Sequence, residues 1–146
     1  MKSEISGKNS EEIRIRAVIE LGKDKSQASK ELLIQTLSTL NSFVRDAVVQ
    51  SLIEIGDIDF LCKNIEQEHR YVRRGIVQTL GNLGGEKACE VLILCLNDRE
   101  WGVRMYAAES LGKVGDKSHI TDLDKLLSDG HEWPREVARL SIAKLN

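Results

Sequence analysis

The sequence holds a single proline, Pro134, and only two residues each of Phe, Tyr and Trp among its 146. Proline interrupts helices, so almost the whole chain is free to be helical. No apolar run approaches the roughly 18 to 20 residues of a membrane-spanning helix, and the first ten residues lack the apolar centre of a secretion signal. We therefore expect a cytoplasmic protein without a membrane partner.

The sequence also has few cysteines and almost no net charge. Cys62, Cys89 and Cys95 are odd in number and form no Cys-x-x-Cys pair, which favours reduced thiols over disulfides or a metal site. The 21 basic and 23 acidic residues are interspersed and leave a net charge of -2. This balance gives no bulk attraction for nucleic acid, which makes it an unfavoured partner.

What the sequence has in abundance is repetition. Five arginines, Arg14, Arg45, Arg73, Arg104 and Arg135, follow one another at spacings of 31, 28, 31 and 31 residues. In the three central copies the arginine comes one residue after a valine, with further apolar residues and a glycine 4, 8 and 12 residues beyond that valine. These frameworks are Val44, Val48, Leu52 and Gly56; Val72, Ile76, Leu80 and Gly84; and Val103, Ala107, Leu111 and Gly115. A fixed period of this length is typical of repeat proteins.

Each copy predicts a pair of helices. The apolar spacing and the closing glycines indicate second helices at about 11–22, 42–55, 70–83, 100–114 and 132–145. Leucine or isoleucine pairs 11 and 7 residues before each following valine or Pro134 indicate first helices at about 27–39, 58–67, 86–97 and 118–128. No stretch has the period-2 alternation of a strand, so we predict an all-α fold.

The strings from Val72 through Gly84 and from Val103 through Gly115 both read Val-Arg-x-x-Ala/Val/Ile-x-x-x-Leu-Gly-x-x-Gly. This pattern resembles the second helix of short HEAT-like repeats of the phycobilisome-lyase type. The resemblance covers residues 11 to 146 and implies a right-handed α-solenoid, here of about four and a half hairpins. Residues 1–10 are polar and carry no repeat signal, so we expect them to form a tail, or a frayed remnant of a first helix, beside this single solenoid.

The repeated arginines have two possible roles. Each central one lies about 100° of helical rotation from a core valine, at the edge of the buried face. Its guanidinium can reach carbonyls or carboxylates of the next repeat, which predicts a structural ladder of Arg14, Arg45, Arg73, Arg104 and Arg135. The alternative is a basic stripe for an anionic partner, which the near-neutral charge disfavours.

Four of the six aromatic residues mark the start of a second helix. They are Phe43, Tyr71, Trp101 and Trp133. All of them except Trp101, which lies one residue earlier in its copy, begin a helical stripe distinct from the core stripe. The HEAT-like resemblance implies that second helices line a concave groove, so we predict that this stripe binds a partner. The predicted binding residues are Phe43, Asp46, Gln50, Tyr71, Arg74, Gln78, Trp101, Met105, Tyr106, Glu109, Trp133 and Glu136.

Two other roles remain open for these rings. They could simply cap the apolar layers at one end of the stack. The last helix, with Trp133, Val137 and Leu140, could equally serve self-association.

The function that the sequence favours is a non-enzymatic adaptor or scaffold, without catalytic residues, metal or cofactor, that holds a peptide or helix of another protein. The resemblance leaves an accessory or partial subunit of a bilin (tetrapyrrole) lyase as the alternative. Nucleic-acid binding, as in HEAT-like DNA glycosylases, is less favoured because the groove mixes charges. His131-Glu132 is similar to the iron-binding His-Glu steps of deoxyhypusine hydroxylases, but it lies about one turn too early and the other second helices lack such a step.

Overall fold

The structure, a computed structural model, describes the backbone of residues 2–146 and the side chains of residues 7–146. Helices make up most of this part of the chain, and it contains no strand. No helix within it has the length and apolar character needed to cross a membrane. The described residues divide into two compact units, one that ends at Gly56 (unit 1) and one that spans Asp57–Asn146 (unit 2).

Unit 1 contains three helices, α1 (Lys2–Asp24), α2 (Gln27–Thr36) and α3 (Ser42–Ile55). Helix α1 packs along α3, and α2 packs on both. α1 is longer than predicted, because it begins at Lys2 rather than near residue 11. The segment predicted as a polar tail therefore carries helical backbone from residue 2, and no proline stands in it to stop the helix.

Unit 2 continues the same alternation of first and second helices. It contains α4 (Ile58–Lys63), α5 (Arg70–Leu83), α6 (Glu86–Cys95), α7 (Trp101–Val114), α8 (Ile120–Asp124) and α9 (Glu132–Leu145). Short 3₁₀ turns, Lys117–His119 and Lys125–Ser128, flank α8. The second helices α5, α7 and α9 pack side by side, and each first helix contacts the second helix that follows it.

The predicted all-α repeat fold is confirmed, and helix ends explain the small differences. The second helices α3, α5 and α9 begin at side chains that accept a backbone N–H. In α3, for example, the Asn41 Oδ1 accepts from the Val44 N–H at 3.0 Å. α3 ends at Gly56, whose φ of 69° is the left-handed conformation that glycine favours. The first helices α2, α4 and α6 end two to four residues earlier than predicted, in turns at Leu37, Asn64 and Leu96.

The predicted core stripe is buried in every central copy. Val48, Ile76 and Ala107, which are equivalent in the repeat, each have no accessible surface. Leucines of the first helices, among them Leu33 and Leu92, are equally buried and meet this stripe from the other layer. Apolar burial between the two layers of helices therefore forms the core of each unit.

Two of the repeated arginines form the same joint between successive hairpins. Arg73 donates two parallel hydrogen bonds to Asp98, at 2.8 and 2.9 Å, and Arg104 donates two to Asp129, at 2.7 and 2.9 Å. The Nη1 atom of Arg104 also donates to the Asp98 carbonyl at 2.8 Å. Each arginine therefore ties the turn of its own hairpin to the turn of the next one.

Of the other arginines in the predicted ladder, two form the bond to a carbonyl of their own hairpin turn. Arg45 donates from Nη1 to the Thr39 carbonyl, and Arg135 donates to the Asp129 carbonyl, each at 2.7 Å. Both carbonyls lie six residues before their arginine, as Asp98 does before Arg104. Arg14 is exposed, and six residues before it the chain is still within α1.

A second regular contact brings neighbouring second helices close together. A glycine on one helix faces a serine 29 residues later on the next, and the space between them is too small for another carbon atom. The Ser51 hydroxyl donates across this contact to the Val18 carbonyl at 3.2 Å. The three pairs are Gly22 with Ser51, Gly81 with Ser110, and Gly112 with Ser141.

Replacing Gly112 with alanine tests this contact. A Cβ atom at Gly112 would lie 2.6 Å from Ser141 Oγ and 2.7 Å from its Cβ. We expect Gly112→Ala to lower the free energy of unfolding in urea by about 1–3 kcal/mol, because the two helices must separate. Gly7→Ala is the control, since nothing lies within 4 Å of that position and alanine is the better helix former. Equal effects of both changes would contradict the close-packing argument.

Asp129→Asn tests the arginine joint. Hydrogen bonds from Arg104 hold the pKa of Asp129 below its ordinary value, and burial only partly opposes them. We expect the variant to lose roughly 2 kcal/mol at pH 7, because a charged hydrogen-bonded pair is lost. A carboxylate with a lowered folded-state pKa stabilises the fold above its unfolded-state pKa of about 3.9, and this contribution disappears as the pH falls through the folded-state pKa.

The difference between wild type and Asp129→Asn should therefore narrow in acid. Chemical unfolding at a series of pH values measures it, with Asp124→Asn as an exposed control. A difference that stayed constant down to pH 2 would show that the charge of Asp129 is not what stabilises the joint.

Candidate functional site

The predicted binding residues of unit 2 lie on the second helices α5, α7 and α9. Their aromatic members are exposed or half-buried, whereas Phe60 is a buried aromatic of the first helices. We use the name aromatic face for the surface formed by Arg70, Tyr71, Arg74, Trp101, Tyr106 and Trp133. In unit 1, Phe43, Asp46 and Gln50 are all exposed on α3.

Arg74 is the centre of the aromatic face. Its guanidinium carbon lies 4.7 Å from the ring centroid of Tyr106 on α7 and 5.5 Å from that of Tyr71 on α5. Both distances are in the range of cation–π attraction. The neighbouring helix lies beside this arginine at Gly102, where an added Cβ would make an ordinary contact with the Arg74 side chain at 3.5 Å.

A second arginine extends the cluster. The Arg70 guanidinium lies 5.1 Å from the Tyr71 ring centroid and donates to Glu100 at 3.4 Å. Tyr71 also contacts the ring of His69, at a centroid distance of 5.5 Å. Tyr71 is therefore held at the start of α5 by contacts with His69, Arg70 and Arg74.

The other end of the aromatic face is built around a stacked pair. Trp101 and His131 have parallel rings with centroids 4.1 Å apart. The Nδ1 atom of His131 accepts the Trp133 backbone N–H at 3.4 Å, and the His131 N–H donates to Asp129 at 2.9 Å. Beyond this pair, Trp133 is 57% exposed and Leu140 is 54% exposed on the same helix.

The remaining predicted residues frame this surface. Gln78 and Met105 are half-buried and Glu109 is exposed. Glu136 is half-buried and pairs with Arg139 on α9. The stripe predicted from the sequence thus places both charges and polar groups next to the rings in unit 2.

Two contributors to the site were missed by sequence reasoning. Arg70 and His131 were not among the predicted binding residues, although both contact its rings. The signal available was their position, since each lies one or two residues before an aromatic residue that starts a second helix.

The three cysteines are free thiols, as predicted. Burial raises the pKa of the Cys95 thiol to about 12, and burial also raises that of Cys89. A thiol that stays protonated is a poor nucleophile. Neither group therefore has the character of a catalytic cysteine.

Comparison with known proteins supports this architecture. The family model described as HEAT repeats matches residues 58–143. A deoxyhypusine hydroxylase of Candida glabrata is 30% identical over 92 residues, which cover 61% of this chain and 29% of the relative. The chain thus spans under a third of that relative's length.

The crystal structure of an engineered protein gives an independent comparison. It aligns with 92% of this chain and 74% of its own, with a TM-score of 0.55 and 18% sequence identity. At this identity the likeness concerns the fold alone.

Among the side chains of residues 7–146, no group of three or more His, Cys, Asp and Glu side chains is placed to hold a metal ion, so this part of the chain offers no ligand set for a di-iron centre. His131 instead stacks on Trp101 and accepts a backbone N–H at the start of α9. Its partner in sequence, Glu132, is exposed.

The adjacent residues Arg73 and Arg74 give a test of which side chains are structural. The Arg73 side chain is only 6% exposed and pairs with Asp98, whereas Arg74 contacts rings at the surface. We expect Arg73→Met to lower the free energy of unfolding by about 3–5 kcal/mol, because it leaves a partly buried carboxylate without its cation.

Arg74→Met should cost about 1 kcal/mol or less, the size of a surface cation–π contact. Chemical denaturation of both variants measures the contrast. If Arg74→Met were as damaging as Arg73→Met, the aromatic face would be part of the structural framework rather than a surface free for binding.

Proposed function

The chain belongs to the HEAT-repeat family, and we propose that it is a non-enzymatic interaction module that holds a segment of another protein against the aromatic face. HEAT repeats commonly mediate protein interactions. Their helices give a rigid surface on which side chains of successive repeats stand next to one another.

The proposal rests on Arg74, whose guanidinium is held by aromatic rings and not by a carboxylate. It lies between Tyr71 and Tyr106, and no carboxylate of the described residues forms an ion pair with it. The rings hold the guanidinium in place while its hydrogen-bond donors remain available. This arrangement favours a partner that brings a carboxylate to Arg74.

The composition of the face supports a protein partner. Tyrosine, tryptophan and arginine are enriched among the residues that dominate binding energy at protein interfaces. Trp133 and Leu140 offer exposed apolar surface on α9 for apolar side chains of the partner. We infer a partner segment that presents an acidic residue to Arg74 and apolar residues to Trp133.

Energetics agree with a specific complex. A stable interface buries roughly 1,200–2,000 Å² in total, which a face of three adjacent helices can provide. The loss of side-chain entropy on binding should be small for the aromatic face, because contacts with neighbouring side chains already hold Arg74, Tyr71 and Trp101. The mixture of Arg70 and Arg74 with Glu109 disfavours the alternative of nucleic acid, which needs a continuous basic groove.

Affinity capture from a lysate of the source organism tests the proposal with three forms of the protein. They are the wild type, a face variant with Tyr71→Ala, Arg74→Ala and Trp133→Ala, and a matched control with Glu90→Ala, Leu94→Ala and Lys125→Ala. The control positions are exposed and lie outside the second helices. All three proteins must first show the same helical content and cooperative unfolding.

We expect mass spectrometry to identify proteins that the wild type and the control retain and the face variant loses. A purified partner should then bind the face variant at least tenfold more weakly, since three central interface residues are truncated. Retention of the same proteins by all three forms would place the binding surface elsewhere and contradict the proposal.

A further inference from the structure

Histidine side chains cap the start of two second helices. The Nδ1 atom of His69 accepts the Tyr71 N–H in the first turn of α5 at 3.3 Å. The Nδ1 atom of His131 accepts the Trp133 N–H in the first turn of α9 at 3.4 Å. A neutral imidazole accepts at Nδ1 only while its proton is on the other nitrogen, and both nitrogens of the protonated ring are donors. Each of these caps therefore exists in only one protonation state.

The same two histidines contact rings of the aromatic face. The His131 ring is stacked on Trp101 at a centroid distance of 4.1 Å, and the His69 ring lies 5.5 Å from Tyr71. His69 is exposed and His131 is half-buried, so a proton reaches both rings from water without unfolding. Histidine is the side chain that ordinarily changes its charge between about pH 5 and pH 8.

A proton on Nδ1 both removes an acceptor and adds a charge at an unfavourable place. A cation at the N-terminus of a helix is opposed by the helix dipole. Beside Tyr71 the charge is also repelled, because the guanidinium groups of Arg70 and Arg74 already lie 5.1 and 5.5 Å from the centroid of its ring. A protonated His69 is the third cation around one tyrosine.

The carboxylates around His69 already have cationic partners. Glu68, the residue before it, pairs with Arg99 of the next turn. Glu100, also of that turn, pairs with Arg70. Within residues 7–146 neither carboxylate forms an ion pair with the His69 ring, so a proton on this ring is not directly neutralised.

The charged groups around His131 are arranged in a similar way. Asp129 accepts two hydrogen bonds from Arg104 of α7, and it also accepts the backbone N–H of His131. Glu132, the residue after His131, is exposed. Two further ion pairs involve the elements around α9: Glu100 with Arg70, and Lys125 with Asp122. The carboxylate nearest in sequence to the ring, Asp129, is therefore already bonded to an arginine.

His119 provides a contrast within the same chain. Its Nδ1 atom accepts the Asp116 N–H at 3.0 Å, but it also lies 3.3 Å from Oδ1 of the same residue. Glu86 and Glu90 line the cavity beside this ring. A proton on His119 therefore exchanges one contact with Asp116 for another, which is not available to His69 or His131.

We propose that His69 and His131 make the aromatic face sensitive to protons. A proton on Nδ1 of each ring releases the N–H of Tyr71 and of Trp133 and loosens the first turns of α5 and α9. In neutral solution both aromatic residues are held through their backbone, and in mild acid this contact is lost. The test needs no partner, so a failure here is distinct from a failure of the proposed interaction.

An NMR titration of the full chain from about pH 7.5 to about pH 5 tests the proposal. The imidazole nitrogen signals report whether Nδ1 carries a proton, and the amide signals of Tyr71 and Trp133 report the caps. We expect Nδ1 of both histidines to be unprotonated at the start, and each amide signal to move together with the imidazole two residues before it. The hydrogen-exchange protection of both amides, corrected for the intrinsic effect of pH, should fall about three- to tenfold, the size expected for the loss of one cap.

A variant with His69→Asn and His131→Asn separates this effect from other consequences of acid. Asparagine supplies an acceptor that does not titrate, as Asn41 does at the start of α3. We expect the two amide signals to lose most of their response to pH and their protection to stay constant within about twofold. His119→Asn is the matched control, and it should leave the response of both amides as in the wild type.

Four results would overturn the proposal. They are a proton on Nδ1 of both histidines at neutral pH, amide signals that do not follow the imidazoles, and the same amide response in the double asparagine variant. The fourth is a loss of helical signal from the whole chain over the same pH range, which would show general acid unfolding instead of a change at the aromatic face.

Discussion

The bidentate pairing of Arg73 with Asp98, repeated by Arg104 with Asp129, is the contact on which the stacking of unit 2 depends. One planar guanidinium bonds to a carbonyl in the turn of its own hairpin and to a carboxylate in the turn of the next. It therefore fixes the geometry within a repeat and between repeats at once. A lysine could satisfy one of these acceptors but not the parallel pair.

This joint works together with the close approach of glycine and serine on neighbouring second helices. The arginine joint sets the hairpin turns at one end, and pairs such as Gly112 with Ser141 set the helix spacing further along. The two registers change residue type in adjacent copies: Ile53 on α3 stands at the register of Gly112, and Gln67 in the turn before α5 stands at the register of Asp98. The division between the two compact units, after Gly56, falls between these two copies.

The helical layers could be predicted from the sequence because they depend on periodicity alone. Val48, Ile76 and Ala107 recur at one register, and all are buried. The aspartates were harder to find, although Asp98 and Asp129 each follow an arginine by 25 residues. An acidic residue in a polar turn gives no periodic apolar signal, so its partner is identified only when the turns are placed in space. The long α1 was missed for a related reason, because a polar segment without apolar periodicity gives no helix signal, even where its residues tolerate a helix.

The aromatic face was predictable as a set of positions but not as an arrangement. A single helical step of about 100° separates Arg73 in its joint from Arg74 between two rings, and the residue type is the same in both. Sequence periodicity indicates the side of the helix on which each residue lies, but not that Tyr71 and Tyr106 from two helices enclose one guanidinium. Because Arg74 and Trp133 take no part in the arginine joints or the glycine–serine contacts, changes at these two residues leave the contacts of Arg73 and Gly112 in place. A repeat scaffold therefore records its fold in residues that recur, whereas its specificity depends on residues that differ from copy to copy.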